Sequence, residues 1–239
     1  MSDLAQEIHQ AEETNSDTTT ETQSGHSDQD ILGNTAVLDI LGFSEAPSGL
    51  EGSAREVYMQ HAERTPAMMV GLTQVQQIDM QLFLNNWHQN KHRYEEVSQA
   101  TNMPAELIAA LHWRESSADF NTYLHQGDPL GRPAVNIPNN IPIFYEWAEA
   151  AKHALNMQYH KNRQNELEIN RDTQNPNALA TYAETYNGLG YFDRGLPSPY
   201  VYSGTDQYLS GKYVSDGHFQ AQTIDQQIGV MPLLGALDA

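Results

Sequence analysis

The 239-residue chain contains no cysteine, so neither a disulfide framework nor a thiolate metal site is available and apolar packing must carry the fold. Basic residues are scarce. Met1 to Ala54 hold eleven acidic residues and no Lys or Arg, and the whole chain has a formal charge of −19. Such a charge repels phosphate backbones and makes nucleic acid a poor partner. No apolar run approaches the ~18 to 20 residues that span a bilayer, which predicts no membrane partner. The opening Met1-Ser2-Asp3-Leu4-Ala5-Gln6-Glu7 lacks the positive region and apolar stretch of a secretory signal. The sequence therefore predicts synthesis in the cytoplasm and delivery by another route to any target outside it. A glycine-rich phosphate loop, a serine nucleophile elbow and a cysteine nucleophile are also missing, which leaves phosphoryl and acyl transfer without visible machinery. No cofactor is implied.

What is present suits one domain of ordinary size with an appendage. Residues 1–51 are rich in Thr, Ser, Gln, Asp and Glu and cannot bury enough apolar surface to offset chain ordering, which predicts a disordered acidic tail. Its apolar islands, Ile31-Leu32 and Val37-Leu38-Asp39-Ile40-Leu41, are either local packing or a docking segment. From residue 52 to 239 helical spacing dominates: Ala54, Val57, Tyr58 and His61; then Val75, Ile78, Leu82 and Phe83; then Tyr94, Val97 and Ala100. A helix over 104–116 starts with Pro104 in its first turn and Glu106 behind it. The pattern then breaks at Gly127, Pro129, Gly131, Pro133, Pro138 and Pro142, predicting a loop or small hairpin insert in which Thr122-Tyr123-Leu124 is the strand signal. Helical spacing returns at Phe144, Trp147, Ala148, Ala151 and Leu155, and at Leu179, Tyr182, Ala183 and Tyr186 before Gly188-Leu189-Gly190. A last helix is expected over 223–237, with Ile224, Ile228 and Met231 inward.

Within the 104–116 helix, Leu107, Leu111 and Glu115 stand at i, i+4 and i+8, which places a carboxylate in line with the apolar stripe. Burial raises a carboxyl pKa, and an acid still protonated near neutral pH can protonate a glycosidic oxygen. A Glu paired with Arg114 or Arg132, or one that reaches solvent from the last turn, fits the same spacing. His88 and His92, at i and i+4, have metal-compatible spacing. No His-Glu-x-x-His arrangement accompanies them, Glu95 and Glu96 suit surface pairs equally well, and no metal is predicted.

His112-Trp113-Arg114-Glu115-Ser116-Ser117-Ala118-Asp119-Phe120 resembles the Glu-Ser motif of soluble lytic transglycosylases and goose-type lysozymes. Ala183-Glu184-Thr185-Tyr186-Asn187-Gly188-Leu189-Gly190-Tyr191 resembles the later Tyr-Asn-Gly motif of that superfamily. The stretch Tyr123 to Pro133 between them is similar to an insert of phage-type and injection-system-associated peptidoglycan hydrolases. The resemblance covers about residues 90–239; the Gly-Leu-Met-Gln motif of the transglycosylases is absent. It implies a mainly α, lysozyme-like α+β domain that cuts the β-1,4 bond between N-acetylmuramic acid and N-acetylglucosamine. Glu115 would be the acid and Ser116, Tyr186 and Asn187 would line the cleft.

An inverting lysozyme needs a second carboxylate about 6.5–9.5 Å from the acid and a retaining one needs it at about 5–5.5 Å, whereas transglycosylases work with one Glu and the substrate's own 6-hydroxyl. Asp128 is the best-placed second carboxylate in the sequence, ahead of Asp119 and Asp206, although an Asp before Pro129 also suits a turn. Tyr123, His125 and Gln126 would add hydrogen bonds to amino sugars. Tyr202 and Asp206, in the run from Tyr200 to Tyr208, would add stacking and polar contact. The expected partner is peptidoglycan, at the cell wall or periplasm after delivery. A phage or contractile-injection particle, held through the acidic tail, would explain delivery without a signal. Two alternatives remain: a particle component that binds the wall or a tube or capsid without cutting, and a chitinase-like enzyme.

Overall fold

A computed structural model describes residues 45–237 except 66 and 216. The expected acidic tail, with both its apolar islands, lies outside the described residues up to residue 44. Its predicted end at 51 is too late, because Leu50 is buried in the core and the Tyr58 hydroxyl donates to the Glu45 carbonyl at 3.2 Å.

The described residues are mainly helical. Helix α1 (Gly52–Ala62) buries Ala54, Val57, Tyr58 and His61, the four positions that its spacing predicts. Helix α2 (Gln74–Thr101) is continuous for 28 residues, opened by a capping box between Thr73 and Gln76 and closed by Asn102 in the left-handed region. Its inward face departs from expectation. Val75, Ile78 and Leu82 are exposed, as is Ala100, and Gln76, Met80, Phe83, Trp87 and Tyr94 face the core. Helix α3 (Ala105–Ser116) buries Ala105 and every residue from Leu107 to Trp113, as a helix enclosed on all sides must. It packs on α2 and on the C-terminal α8 (Val230–Leu237).

Beyond α3 the chain runs irregularly to α4 (Trp147–Asn156) and α5 (Gln158–Glu166), then to α6 (Pro176–Asn187), the short α7 (Pro199–Tyr202) and α8. Helix α6 starts with Pro176 behind an Asn175 cap, whose side chain accepts from the Asn177 and Ala178 amides, and ends at Gly188. The insert is irregular, as its glycines and prolines predict, and its Thr122-Tyr123 segment turns back on itself: Thr122 forms an antiparallel bridge with Pro129, the Tyr123 amide donates to the Asp128 carbonyl at 2.7 Å and the Leu130 amide to the Asn121 carbonyl at 2.8 Å. A second, regular hairpin that the sequence did not announce pairs β1 (Lys212–Ser215) antiparallel with β2 (His218–Gln220), with a bulge between Tyr213 and Ser215. The final helix starts at Val230 rather than 223, since Asp225 and Gln227 are engaged by other elements; Ile228 is buried and Ile224 exposed. No helix among the described residues is long and apolar enough to cross a membrane.

An aromatic cluster behind α3 fixes the turn that ends it. His112 Nε2 donates to the Asp119 carbonyl at 3.2 Å while Nδ1 meets the Tyr94 hydroxyl at 3.1 Å, and its ring lies 4.8 Å from Phe120 and 4.6 Å from Trp147. Burial lowers the His112 pKa to about 3, so the ring is neutral and this tautomer is held. Ser117 and Ala118 take left-handed conformations, turning the chain sharply after Ser116.

Candidate active site

Glu115 occupies the last turn of α3, partly open to solvent, at the edge of a cavity of about 340 Å³ that Asp79, Ser116 and Gln227 also line. The Tyr200 hydroxyl donates to its Oε1 at 2.8 Å. Burial raises its pKa from 4.5 to about 7, against the opposing effects of the Tyr200 bond and the Arg114 charge. Near neutral pH it is therefore a proton donor with a resident orienting hydroxyl. Tyr186 lies close enough for Glu115 to act on its own titration. Burial and then that carboxyl push the phenol well above its ordinary range, and its hydroxyl donates to the Leu124 carbonyl at 2.9 Å. The Tyr186 ring stacks on His160 with centroids 4.5 Å apart.

Arg114 does not pair with Glu115. Its Nη2 meets Asp225 Oδ2 at 2.8 Å with both side chains buried, its Nη1 donates to the Gln227 and Ile228 carbonyls, and the guanidinium lies 5.0 Å from the Tyr200 ring centroid. Lys212 Nζ reaches Asp225 Oδ1 at 2.8 Å. Burial works against the Asp225 charge, but Arg114 and Lys212 outweigh it and hold its pKa below the ordinary value. Arg114 also lines a second cavity, of about 380 Å³, with Asn187, Tyr200, Lys212 and Tyr213. The hairpin thus forms a wall of that cavity, and two cations meet one carboxylate there.

The insert packs over the Glu115 turn through Gly127, at φ +77°, where a Cβ would stand 2.8 Å from the Glu115 carbonyl oxygen. Gly127→Ala should therefore destabilise the fold by about 1–3 kcal/mol, from backbone strain and displacement of the insert. A melting temperature lowered by several degrees would register it, and an unchanged one would contradict this packing.

The structure separates the remaining sequence candidates. Ser116 and Asn187 border the two cavities. Asp128 does not face Glu115 as a free carboxylate: its Oδ2 accepts the Val135 and Asn136 amides, both at 2.8 Å, and its Oδ1 accepts the Asn136 side chain at 2.7 Å. It pins the insert from inside. Tyr123 is fully buried, donating to the Arg132 carbonyl and accepting from the Phe144 amide, and Gln126 donates to Asp128 and the Pro138 carbonyl. His125 is buried against His153, 2.9 Å between ring nitrogens, and burial followed by the neighbouring His153 and His160 lowers its pKa to about 3. Tyr123 and Gln126 hold the insert together, and His125 ties it to α4 through His153.

Tyr202 is fully buried in the core, where its hydroxyl lies 2.7 Å from His61 Nδ1 and His61 Nε2 is 2.9 Å from Glu184. Asp206 accepts the Met68 amide at 3.1 Å and borders neither cavity. Asp119 caps its own turn by accepting from Asn121. His88 and His92 are both exposed on α2, and no cluster of three or more His, Asp or Glu among the described residues is arranged to hold a metal.

Asp225 and Asp79 are the cavity residues that sequence reasoning missed, while Arg114 entered it only as a partner for Glu115 and Tyr200 only as the first of an aromatic run. Tyr200 and Tyr202 lie about 200° apart around a helix, so one meets Glu115 and the other enters the core. A choice between them needs the helix phase, which a four-residue element does not reveal. Compared with protein-family models, curated proteins and solved structures, the chain finds no match.

Proposed function

We propose that this protein cleaves the glycan strand of peptidoglycan, with Glu115 as the acid that protonates the glycosidic oxygen, on a lysozyme-like helical domain and without a cofactor. The observation that carries this reading is the Glu115 carboxyl, raised to about 7 at a cleft edge and bonded by the Tyr200 hydroxyl. Its support is the ordered pair of motifs: the Glu-Ser of residues 115–116 and the Tyr-Asn-Gly of residues 186–188 meet at one site, Tyr186 beside Glu115 and Asn187 in the adjoining cavity. Arg114 and Lys212 outnumber Asp225 in that cavity, and the charge left over favours a substrate with carboxylates, as peptidoglycan has on its stem peptides, over neutral chitin. Delivery to the wall by a phage or injection particle, docked through the acidic N-terminal segment, remains part of the proposal.

Purified protein incubated with peptidoglycan should release soluble muropeptides, and the Glu115→Gln variant should not. No release by the unaltered chain across a range of salt and pH would end this reading. The pH profile gives a further expectation. The reactive form has Glu115 protonated, so kcat/KM should fall as pH rises past about 7. The Tyr200 bond favours the carboxylate and lowers that pKa. Removing a hydrogen bond of about 1 kcal/mol with Tyr200→Phe should therefore move the alkaline limb up by about 0.7 of a pH unit. A limb that stays put or moves down would show that Tyr200 does not act on the proton donor.

A further inference from the structure

On the proposed glycan-cleaving reading, we infer that Asp79 is the second carboxylate of the site: it activates a water across the sugar from Glu115 and makes the enzyme an inverting hydrolase. Asp79 lies in the first third of α2, partly exposed, and lines the same 340 Å³ cavity as Glu115 and Ser116. Its Oδ2 accepts the Trp113 indole N–H at 3.2 Å and the Ile228 amide at 2.8 Å. Trp113 is two residues before Glu115 on α3, and Gln227, next to Ile228, donates its side-chain amide to the Trp113 carbonyl at 2.7 Å. The carboxylate is thus held from α3 and from the segment before α8, the two stretches that also bring Glu115 and Gln227 to the cavity.

Only one of its oxygens is used. Oδ1 accepts no hydrogen bond from the described residues, and the cavity that Asp79 lines is several times the ~30 Å³ that a water occupies. The other carboxylates considered are differently placed: both oxygens of Asp128 carry amide bonds, both of Asp225 carry cations, Asp119 caps a turn, and Asp206 accepts the Met68 amide away from the cavity. A carboxylate oriented through one oxygen and open at the other is what a general base requires.

The step balances with one water consumed. The Glu115 proton goes to the glycosidic oxygen, and the bond from that oxygen to C1 breaks with its electron pair leaving on oxygen. Water attacks C1 from the opposite face while Asp79 Oδ1 takes one of its protons. Asp79 then returns that proton to solvent and Glu115 is reprotonated. The product is a reducing end of inverted configuration, α where the bond cleaved was β. A transglycosylase working through Glu115 alone would instead leave 1,6-anhydro ends.

The test uses the full chain on peptidoglycan and on soluble muropeptide oligomers. Mass spectrometry of the products should show reducing ends, and proton NMR during turnover should show the α-anomer first. Asp79→Asn keeps an acceptor for Trp113 and Ile228, and should lower kcat by about 10²–10³-fold with little change in KM or melting temperature. Azide added to Asp79→Ala should restore turnover and yield a glycosyl azide. Anhydro ends, a β-anomer formed first, or an Asp79→Asn variant within a few-fold of the parent would each overturn the role of Asp79 while leaving Glu115 as acid intact. Absence of any cleavage by the parent protein would remove both. The anomer and end-group measurements need no variant, so a poorly folding Asp79 substitution leaves the inference decidable.

Discussion

Glu115→Gln should reduce muropeptide release by about 10²–10⁴-fold, the range that a general acid contributes, while making the folded protein more stable at neutral and alkaline pH. The first half follows from chemistry: the Gln side chain keeps the shape and an oxygen to accept from Tyr200, 2.8 Å from Oε1 in the parent, but has no proton to give. The second half follows from linkage. The folded pKa is raised from 4.5 to about 7, so the native state binds this proton more tightly than the unfolded chain does. Glu115 costs nothing below about pH 4.5; its cost grows as pH rises through the window to 7 and is complete above it. A carboxyl wholly shut off from water would cost about 3 kcal/mol across that window, and the partial access of Glu115 reduces this to about 1–2 kcal/mol. Urea unfolding at pH 4 and pH 8 should therefore show parent and variant alike at the lower pH and the variant ahead at the higher. A variant as active as the parent, or less stable at pH 8, would contradict the placement of this group.

Glu115 was legible because a carboxylate in an apolar helical stripe is a local anomaly, and short motifs mark its surroundings. The side chains around it were not, because they are brought there by distant chain. Asp79 looks like one acidic residue on an amphipathic helix until Trp113, 34 residues on, and Ile228, 149 residues on, donate to it. The same holds for the fold. Helix α1 carries its inward residues at regular spacing, and α6, buried continuously from Asn177 to Thr185, is marked by a proline where it begins and a glycine where it ends. Helix α2 defeats the spacing rule because Gln76 turns inward to cap its helix and to donate to Ser203 and the Asp225 carbonyl, which rotates Val75, Ile78 and Leu82 to the surface. Helix α5, Gln-Tyr-His-Lys-Asn-Arg-Gln-Asn-Glu, has almost no apolar residue to count. It is held by Gln164, whose amide serves the Thr101, Asn102 and Ile169 carbonyls, a polar anchor with no periodic signature.

Asp225→Ala should cost about 3–5 kcal/mol of stability, the effect of breaking a buried ion pair from one side. The loss arises from what remains: the Arg114 guanidinium, buried beside α3, keeps its charge with no carboxylate at 2.8 Å, and Lys212 loses its anchor as well. Urea unfolding at pH 7 measures this. A double variant that also replaces Arg114 with Met should recover much of the loss, since an apolar pair of similar volume carries no stranded charge. Equal losses in single and double variants would mean that backbone changes around Asp225, not the pair, set the cost. The pKa of Asp225 is held below its ordinary value of 3.8, so its contribution is present above about pH 3.8 and is lost as pH falls through the lower, folded value. The acid limb of parent unfolding should consequently be steeper than that of Asp225→Ala. In whatever Asp225→Ala remains folded, the Arg114 charge acts on Glu115 without its counter-ion and favours the carboxylate. The alkaline limb of cleavage should then move to lower pH, opposite to the shift expected for Tyr200→Phe. Two neighbours of one acid would thus displace its titration in opposite directions, which an effect of altered folding alone would not produce.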